Sequence, residues 1–279
     1  MNNKVKKVRL DIYLVDNNYF SSREKARLAI MEGNVYVNNQ REDKPGTMIR
    51  DDALVEYRGE KLKYVSRGGL KLEKAIKVFN IQLNDKICID IGSSTGGFTD
   101  CMLQNGAKKV YAVDCGTNQL DYKLRNNVRV VTLENTNARY LSKEMFKDDV
   151  IDFISADVSF ISITKILPKV KEMLCELGKS IILIKPQFEA GKEFVEKGGV
   201  VKDKKIHKKI VSDIINFCLE NSFLIRGLDF SPIKGPAGNI EYLLYIENHK
   251  VDIDNSNINI SEIIDKVVDE SHRVLNQEV

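Results

Sequence analysis

From Lys86 onward the chain repeats one alternation. The runs KICIDIGSS, KKVYAVDCG, VRVVTLEN, IDFISADVS and SIILIKPQF are short and rich in Ile and Val, and segments of helical character separate them, TGGFTDCMLQNGA and ISITKILPKVKEMLCELG among them. A parallel strand cannot reach its neighbour through a tight hairpin and needs a crossover, usually a helix. Apolar strands alternating with helices therefore predict a doubly wound, mostly parallel α/β sheet. After a further helical segment, DKKIHKKIVSDIINFCLENS, come FLIRGLDFSPI and NIEYLLYIE with no helix between them. These two are expected to pair antiparallel, which makes the last strand antiparallel. The tail NISEIIDKVVDESHRVL places Ile263, Ile264, Val267 and Val268 at amphipathic spacing. It reads as a helix packed on this domain, with dimerisation as the alternative.

The first sixty residues have a different rhythm. RLDIYLVDNN carries Leu10, Tyr13 and Leu14 at helical spacing, and SSREKARLAIMEGN offers Ser21 and Glu24 as a capping box. Leu28, Ala29 and Met31 mark the expected buried side of that helix, Arg23 and Arg27 share another face, and Gly33 is placed to end it. VYVNNQ reads as a strand turning at Asn38-Asn39, and ALVEYRGEKL as another strand. The expected organisation is a small α+β domain over 1–62, a joint over 63–69, the doubly wound domain over 70–250 and a terminal amphipathic helix within 251–279.

Net charge is only +3 over 279 residues, so its distribution matters more than its sum. Residues 1–30 hold Lys4, Lys6, Lys7, Arg9, Arg23, Lys25 and Arg27 against Asp11, Asp16 and Glu24. A local basic surface suits nucleic acid, and a solvated helix face is the alternative. The five cysteines form no C-x-x-C pair and there are three histidines, which argues against a metal site. No run approaches the roughly 18 apolar residues of a membrane span and the N-terminus lacks a signal-peptide core, so a cytoplasmic protein is expected.

DIGSSTGGFTD follows a strand and opens a helix, so Gly92, Ser93, Gly96 and Gly97 form a turn that lets backbone approach a ligand. The pattern is neither G-x-G-x-x-G nor a phosphate loop. Asp114 ends the next strand, placed to accept from ribose hydroxyls. A nucleoside cofactor without phosphates fits best, S-adenosylmethionine being one, with a nicotinamide cofactor as the alternative. In that reading the cofactor's amino group meets Asp90, its carboxylate the helix start, and its adenine Asn137, while Phe98 and Phe160 either line the pocket or pack. Ligands in such sheets bind at the carboxyl ends of the parallel strands. Asp157 and Lys185 fall on that edge, Glu241 joins them if its strand runs antiparallel, and Lys71 comes from the preceding helical segment YVSRGGLKLEKA.

The stretches RLDIYL, SREKARLAIMEGNVYVNN and DALVEY resemble the S4 RNA-binding domain. That resemblance implies RNA contact through Arg9, Arg23, Lys25 and Arg27. VSRGGLKLEKA, DIGSSTGGFTD, ADVSFIS, LIKPQFE and NIEYL, in this order, resemble the TlyA family, which joins an S4 domain to an FtsJ-like, Rossmann-like methyltransferase domain. The resemblance implies a Lys-Asp-Lys-Glu tetrad on Lys71, Asp157, Lys185 and Glu241. It also implies an S-adenosylmethionine-dependent enzyme that methylates cytidine ribose in 16S rRNA, 23S rRNA or both. Arg67, in the joint, is expected to touch RNA or the acidic edge. Chemically, a ribose hydroxyl needs a base, and a lysine serves only if its pKa falls. Burial and a second lysine push it down while the acids oppose. Lys185 is expected as the base, oriented by Asp157 and Glu241 and tuned by Lys71. The other readings are a non-catalytic RNA-binding or assembly protein, and a membrane-active haemolysin, a name some TlyA-like proteins carry.

Overall fold

The computed structural model describes residues 7–17, 19–20, 22–59, 63–147, 149–249 and 259–276. The chain divides into two compact units, Met1–Leu62 and Lys63–Val279. Within the first, β1 (Lys7–Arg9) pairs antiparallel with β4 (Met48–Arg50), and β2 (Val35–Val37) lies between β3 (Gln40–Glu42) and β5 (Val55–Tyr57). Helices α1 (Leu10–Asp16) and α2 (Arg23–Met31) pack on each other through Leu10, Leu14, Ala26, Ala29 and Ile30, with Val35, Ile49 and Val55 completing the core.

The buried stripe of α2 differs from the expected one. Ala26, Ala29 and Ile30 face inward, while Leu28 is 58% and Met31 61% exposed. The small side chains of Ala26 and Ala29 let α1 approach closely beside Ile30, and Leu28 and Met31 fall on the outer face. The cap is Ser22, whose side chain accepts from the Lys25 N–H; Ser21 lies outside the described residues. The helix ends in a Schellman motif, Gly33 N–H to Ile30 O at 2.8 Å and Asn34 N–H to Ala29 O at 3.0 Å. Asn38 and Asn39 both take positive φ, 50° and 64°, as a two-residue hairpin turn requires.

The second unit opens with α3 (Gly69–Val78) and then alternates β6 (Ile87–Ile91), α4 (Gly97–Gln104), β7 (Lys109–Val113), α5 (Tyr122–Arg125), β8 (Val130–Leu133), β9 (Ile151–Ala156), α6 (Leu167–Met173), β10 (Leu174–Ile184), α7 (Pro186–Glu189) and α8 (Lys204–Glu220). It closes with β11 (Phe223–Phe230), β12 (Tyr242–Asn248) and α9 (Ile260–Leu275). The sheet order is β11-β12-β10-β9-β6-β7-β8, and β12 alone runs against the rest. The expected doubly wound sheet is thus present, and the antiparallel strand, last in sequence, lies inside the sheet rather than at its edge. One face is covered by α3 and α4 through Leu72, Ala75, Phe98, Cys101 and Met102. The other is covered by α6, α8 and α9 through Val170, Val211, Ile215, Ile264 and Val268. The segment expected as a joint is integral to this unit at Tyr64, which is buried in the same cluster as Leu72. In α9 the inward residues are Ile264, Val268, Ser271 and Leu275, and Ile263 is exposed.

Candidate active site

The carboxyl ends of β9 and β10 and the start of β12 meet on one edge. The ladders pair Ala156 with Ile182 and Ile184 with Tyr242, so Asp157, Lys185 and Glu241 each stand next to the paired residues. Lys71 reaches them from the first turn of α3. Its Nζ donates to Glu241 Oε2 at 2.6 Å and lies 3.7 Å from Asp157 Oδ2. Lys185 Nζ lies 2.5 Å from Asp157 Oδ1 and donates to Ser159 Oγ at 3.0 Å. The charges therefore alternate along Lys185, Asp157, Lys71 and Glu241, and both lysines and Glu241 are buried. The Lys185–Asp157 contact is an ion pair off the hydrogen-bond axis, for Asp157 Oδ1 is buried and accepts no aligned hydrogen bond.

Burial opposes the charge on Lys71, but the Asp157 and Glu241 carboxylates outweigh it and hold its pKa above that of a free lysine. The fall in pKa expected of a lysine in this cluster therefore does not occur at Lys71.

The glycine turn abuts this cluster. Gly92 takes φ 80°, and a Cβ there would collide with the carbonyl oxygen of Asp157. Ser93 is buried, and its carbonyl accepts from Gly96 N–H at 2.7 Å. Gly97 opens α4 where it meets α3; a Cβ there would lie 2.8 Å from the Gly69 nitrogen. Asp114 follows β7 and accepts from Ser94 N–H at 2.8 Å and Gly116 N–H at 2.7 Å, joining two loops. Asn137 is exposed beyond β8, where its side chain caps a short 3-10 turn by accepting from Arg139 N–H at 3.1 Å.

Two expected ligand contacts are corrected. Asp90 is 0% exposed, accepting from Thr99 Oγ1 at 2.7 Å and Ser155 Oγ at 2.9 Å, so it has no surface with which to meet a ligand. It braces α4 from beneath, and burial pushes its pKa up to about 6 against those two hydroxyls. Phe98 is 3% exposed and belongs to the core. Phe160 is the opposite case: it is 90% exposed, held at φ 63°, with its ring 5.1 Å from that of Phe188. The loop after Lys185 is anchored at its far end. Val201 donates to Asn239 Oδ1 at 3.0 Å and its carbonyl meets His207 Nε2 at 2.8 Å.

In the first unit, Arg9 and Arg23 converge on Asp11, which is buried. Arg9 makes two bonds of 3.0 Å and Arg23 one of 2.8 Å. The Arg9 hydrogen bond is the main reason the Asp11 pKa falls to about 2. Arg27 and, in the second unit, Arg67 are exposed, and Lys25 is half-buried. Sequence reasoning missed Asp11, Thr99, Ser155 and Ser159. Only Ser159 carried a signal, two residues after Asp157 in a motif already singled out.

Residues 64–248 match the FtsJ-like methyltransferase family and residues 8–55 the S4 domain. A Bacillus subtilis relative, provisionally named the rRNA methyltransferase YqxC, is 48% identical over 98% of this chain and 96% of its own. The 16S/23S rRNA (cytidine-2′-O)-methyltransferase TlyA of Mycobacterium tuberculosis is 38% identical over 86% of this chain and 90% of its own. A solved structure from Streptococcus thermophilus, provisionally named a hemolysin, superposes with a TM-score of 0.78 at 45% identity, covering 98% of both chains.

Proposed function

The chain belongs to the FtsJ-like methyltransferase family, in the TlyA branch that adds an S4 domain, and from that premise we propose that it methylates ribose 2′-hydroxyls, on cytidine, in ribosomal RNA. The observation that carries this reading is the buried alternation Lys185–Asp157–Lys71–Glu241 beside the glycine turn. Ribosomal RNA as substrate places the reaction in the cytoplasm. Among the described residues no helix is long and apolar enough to cross a membrane.

S-adenosylmethionine, when bound, supplies a methyl group on a positively charged sulfur that departs as a neutral thioether. The residues at the turn fit it. No Lys or Arg lies between Gly92 and Phe98 to meet a phosphate, and the Asp114 carboxylate suits a ribose diol. Gly92, Ser93, Gly96 and Gly97 would shape the backbone, the start of α4 would face the carboxylate, and Asn137 would face the adenine.

Lys71, between two carboxylates, keeps its proton and holds Asp157 and Glu241 in register. Lys185 shares its one carboxylate with Lys71, so it is the lysine able to work as an amine. Its lone pair takes the proton of the ribose hydroxyl as that oxygen bonds to the methyl carbon, and the proton then passes to solvent. Asp157 fixes the amine for in-line attack. Phe160 projects from the same edge, beside the place the substrate ribose must occupy. Arg9, Arg23, Lys25, Arg27 and Arg67 are assigned to phosphate contacts, which position RNA without reading its sequence.

The test uses purified protein, tritiated cofactor and ribosomal subunits. Lys185→Ala and Asp157→Ala are expected to lower incorporation into rRNA about 10²- to 10⁴-fold, the range for losing general-base catalysis. Equal labelling by wild type and both variants would sink the assignment of roles. Cofactor binding without any transfer to rRNA would instead favour a non-catalytic assembly factor.

A further inference from the structure

The loop that follows Asp157 is fastened to the segment that follows Lys185 at three points. Ser159 Oγ accepts from Lys185 Nζ at 3.0 Å, the Phe160 ring lies 5.1 Å from that of Phe188, and Glu189 Oε1 accepts from Ile163 N–H at 2.8 Å. Between these ties Phe160 holds φ 63°, a conformation that a bulky residue keeps only when its surroundings impose it. Glu189 is half-buried, and burial raises its pKa against the hydrogen bonds from Ile163 and Ser162. A carboxylate kept there at that cost implies that the place of the loop matters.

What the loop places is an acceptor. A neutral primary amine has two N–H bonds and one lone pair. One directed hydrogen bond together with an ion-pair contact restricts the direction of the lone pair. Around Lys185, Ser159 Oγ accepts an aligned hydrogen bond at 3.0 Å, while Asp157 Oδ1, 2.5 Å away, attracts the amine by charge without accepting one. Asp157 alone would leave the amine free to turn about its last carbon–nitrogen bond.

We propose that Ser159 is a positioning residue for methyl transfer, accepting an N–H of Lys185 so that the lone pair faces the ribose hydroxyl, and that Glu189 holds the loop that carries it. This rests on the ribose-methylation reading above. Ser159 touches neither substrate nor cofactor in this role; it acts through Lys185.

One consequence separates this role from a structural one. Orientation affects turnover, not capture, so kcat changes while KM for rRNA and for the cofactor does not, and a conservative variant that keeps the hydroxyl restores kcat.

The experiment measures kcat, both KM values and thermal stability for wild type, Ser159→Ala, Ser159→Thr, Glu189→Gln and Glu189→Met on ribosomal subunits. Ser159→Ala is expected to lose about tenfold in kcat, with unchanged KM and melting temperature. Ser159→Thr and Glu189→Gln retain the acceptor and return to near wild type, whereas Glu189→Met behaves as Ser159→Ala. An active wild type whose kcat is unchanged in Ser159→Ala, or is lost equally in Ser159→Thr, overturns the inference and leaves the ribose reading standing. A wild type that labels no ribose overturns that reading itself.

Discussion

Lys71 and Glu241 form the most buried ion pair of the site, at 2.6 Å, with side-chain exposures of 8% and 1%. Removing one member strands a charge away from water, at a cost of about 3–5 kcal/mol, while replacing both with apolar groups is often neutral. Lys71→Met and Glu241→Met are each expected to lower the denaturant midpoint strongly. The double variant is expected to recover stability in urea unfolding without recovering methyl transfer, because Asp157 has then lost its second cation. Additive destabilisation in the double variant would show that the pair is not coupled. The tetrad was legible because motif residues at strand ends have their edge dictated by topology. Ser159, Thr99 and Ser155 were not, because a hydroxyl's role depends on which atom lies within 3 Å, and no pattern in the chain encodes that. Asp90 was misjudged for the same reason: strand-end position predicts nearness to a ligand, but not whether the helix start above it closes the way.

The elements differ in how plainly they were written. β6, β7, β9 and β10 were legible from apolar runs between helical segments. The strands of the first unit are three residues each, too short to display an alternation. Only the Asn38-Asn39 turn revealed a hairpin there. The docking of α9 onto α8 contains a buried cluster that the tail's amphipathic spacing did not announce. His207 Nδ1 lies 2.7 Å from Tyr242 OH and 3.2 Å from His272 Nε2. Burial lowers the pKa of His207, and burial together with His207 lowers that of His272 to about 4. In the unfolded chain histidine titrates near 6.5. Between about pH 6.5 and 4 the unfolded state therefore binds more protons, so this contribution is intact above pH 6.5 and fades as the pH falls. Asp203, Asp269 and Lys204 also face His272, and Asp90, with its raised pKa, acts in the opposite sense. The comparison must therefore be between wild type and His272→Asn. Wild type is expected to lose more stability from pH 7 to pH 5, and its α9 amides to exchange faster at pH 5 once corrected for intrinsic rates. Parallel losses in the two proteins would remove the histidine from the explanation.

Across the whole chain the net charge of +3 hides an uneven distribution, and the first unit is where RNA capture is assigned. Its arginines are not equivalent. Asp11 offsets part of the charge of Arg9 and Arg23 while fixing where they point. Arg27→Ala is expected to weaken rRNA binding and reduce the slope of log affinity against log salt by about one, with stability unchanged. Arg23→Ala is expected to weaken binding and also lower stability, since it strips one of two cations from a buried carboxylate. Identical salt slopes for wild type and Arg27→Ala would remove Arg27 from the RNA surface.

The reversed strand β12 makes the catalytic edge a matter of counting. Because Ile184 faces Tyr242 in the ladder, a slip of two residues, the smallest that keeps each side chain on its own face, would carry Glu241 about 7 Å from Lys185. The loop from 232 to 240 lies outside that ladder, closed by the Ser231 N–H on the Glu241 carbonyl at 2.8 Å, so the interval between two hydrogen-bonded strands, not the loop, is the gauge that sets where Glu241 stands.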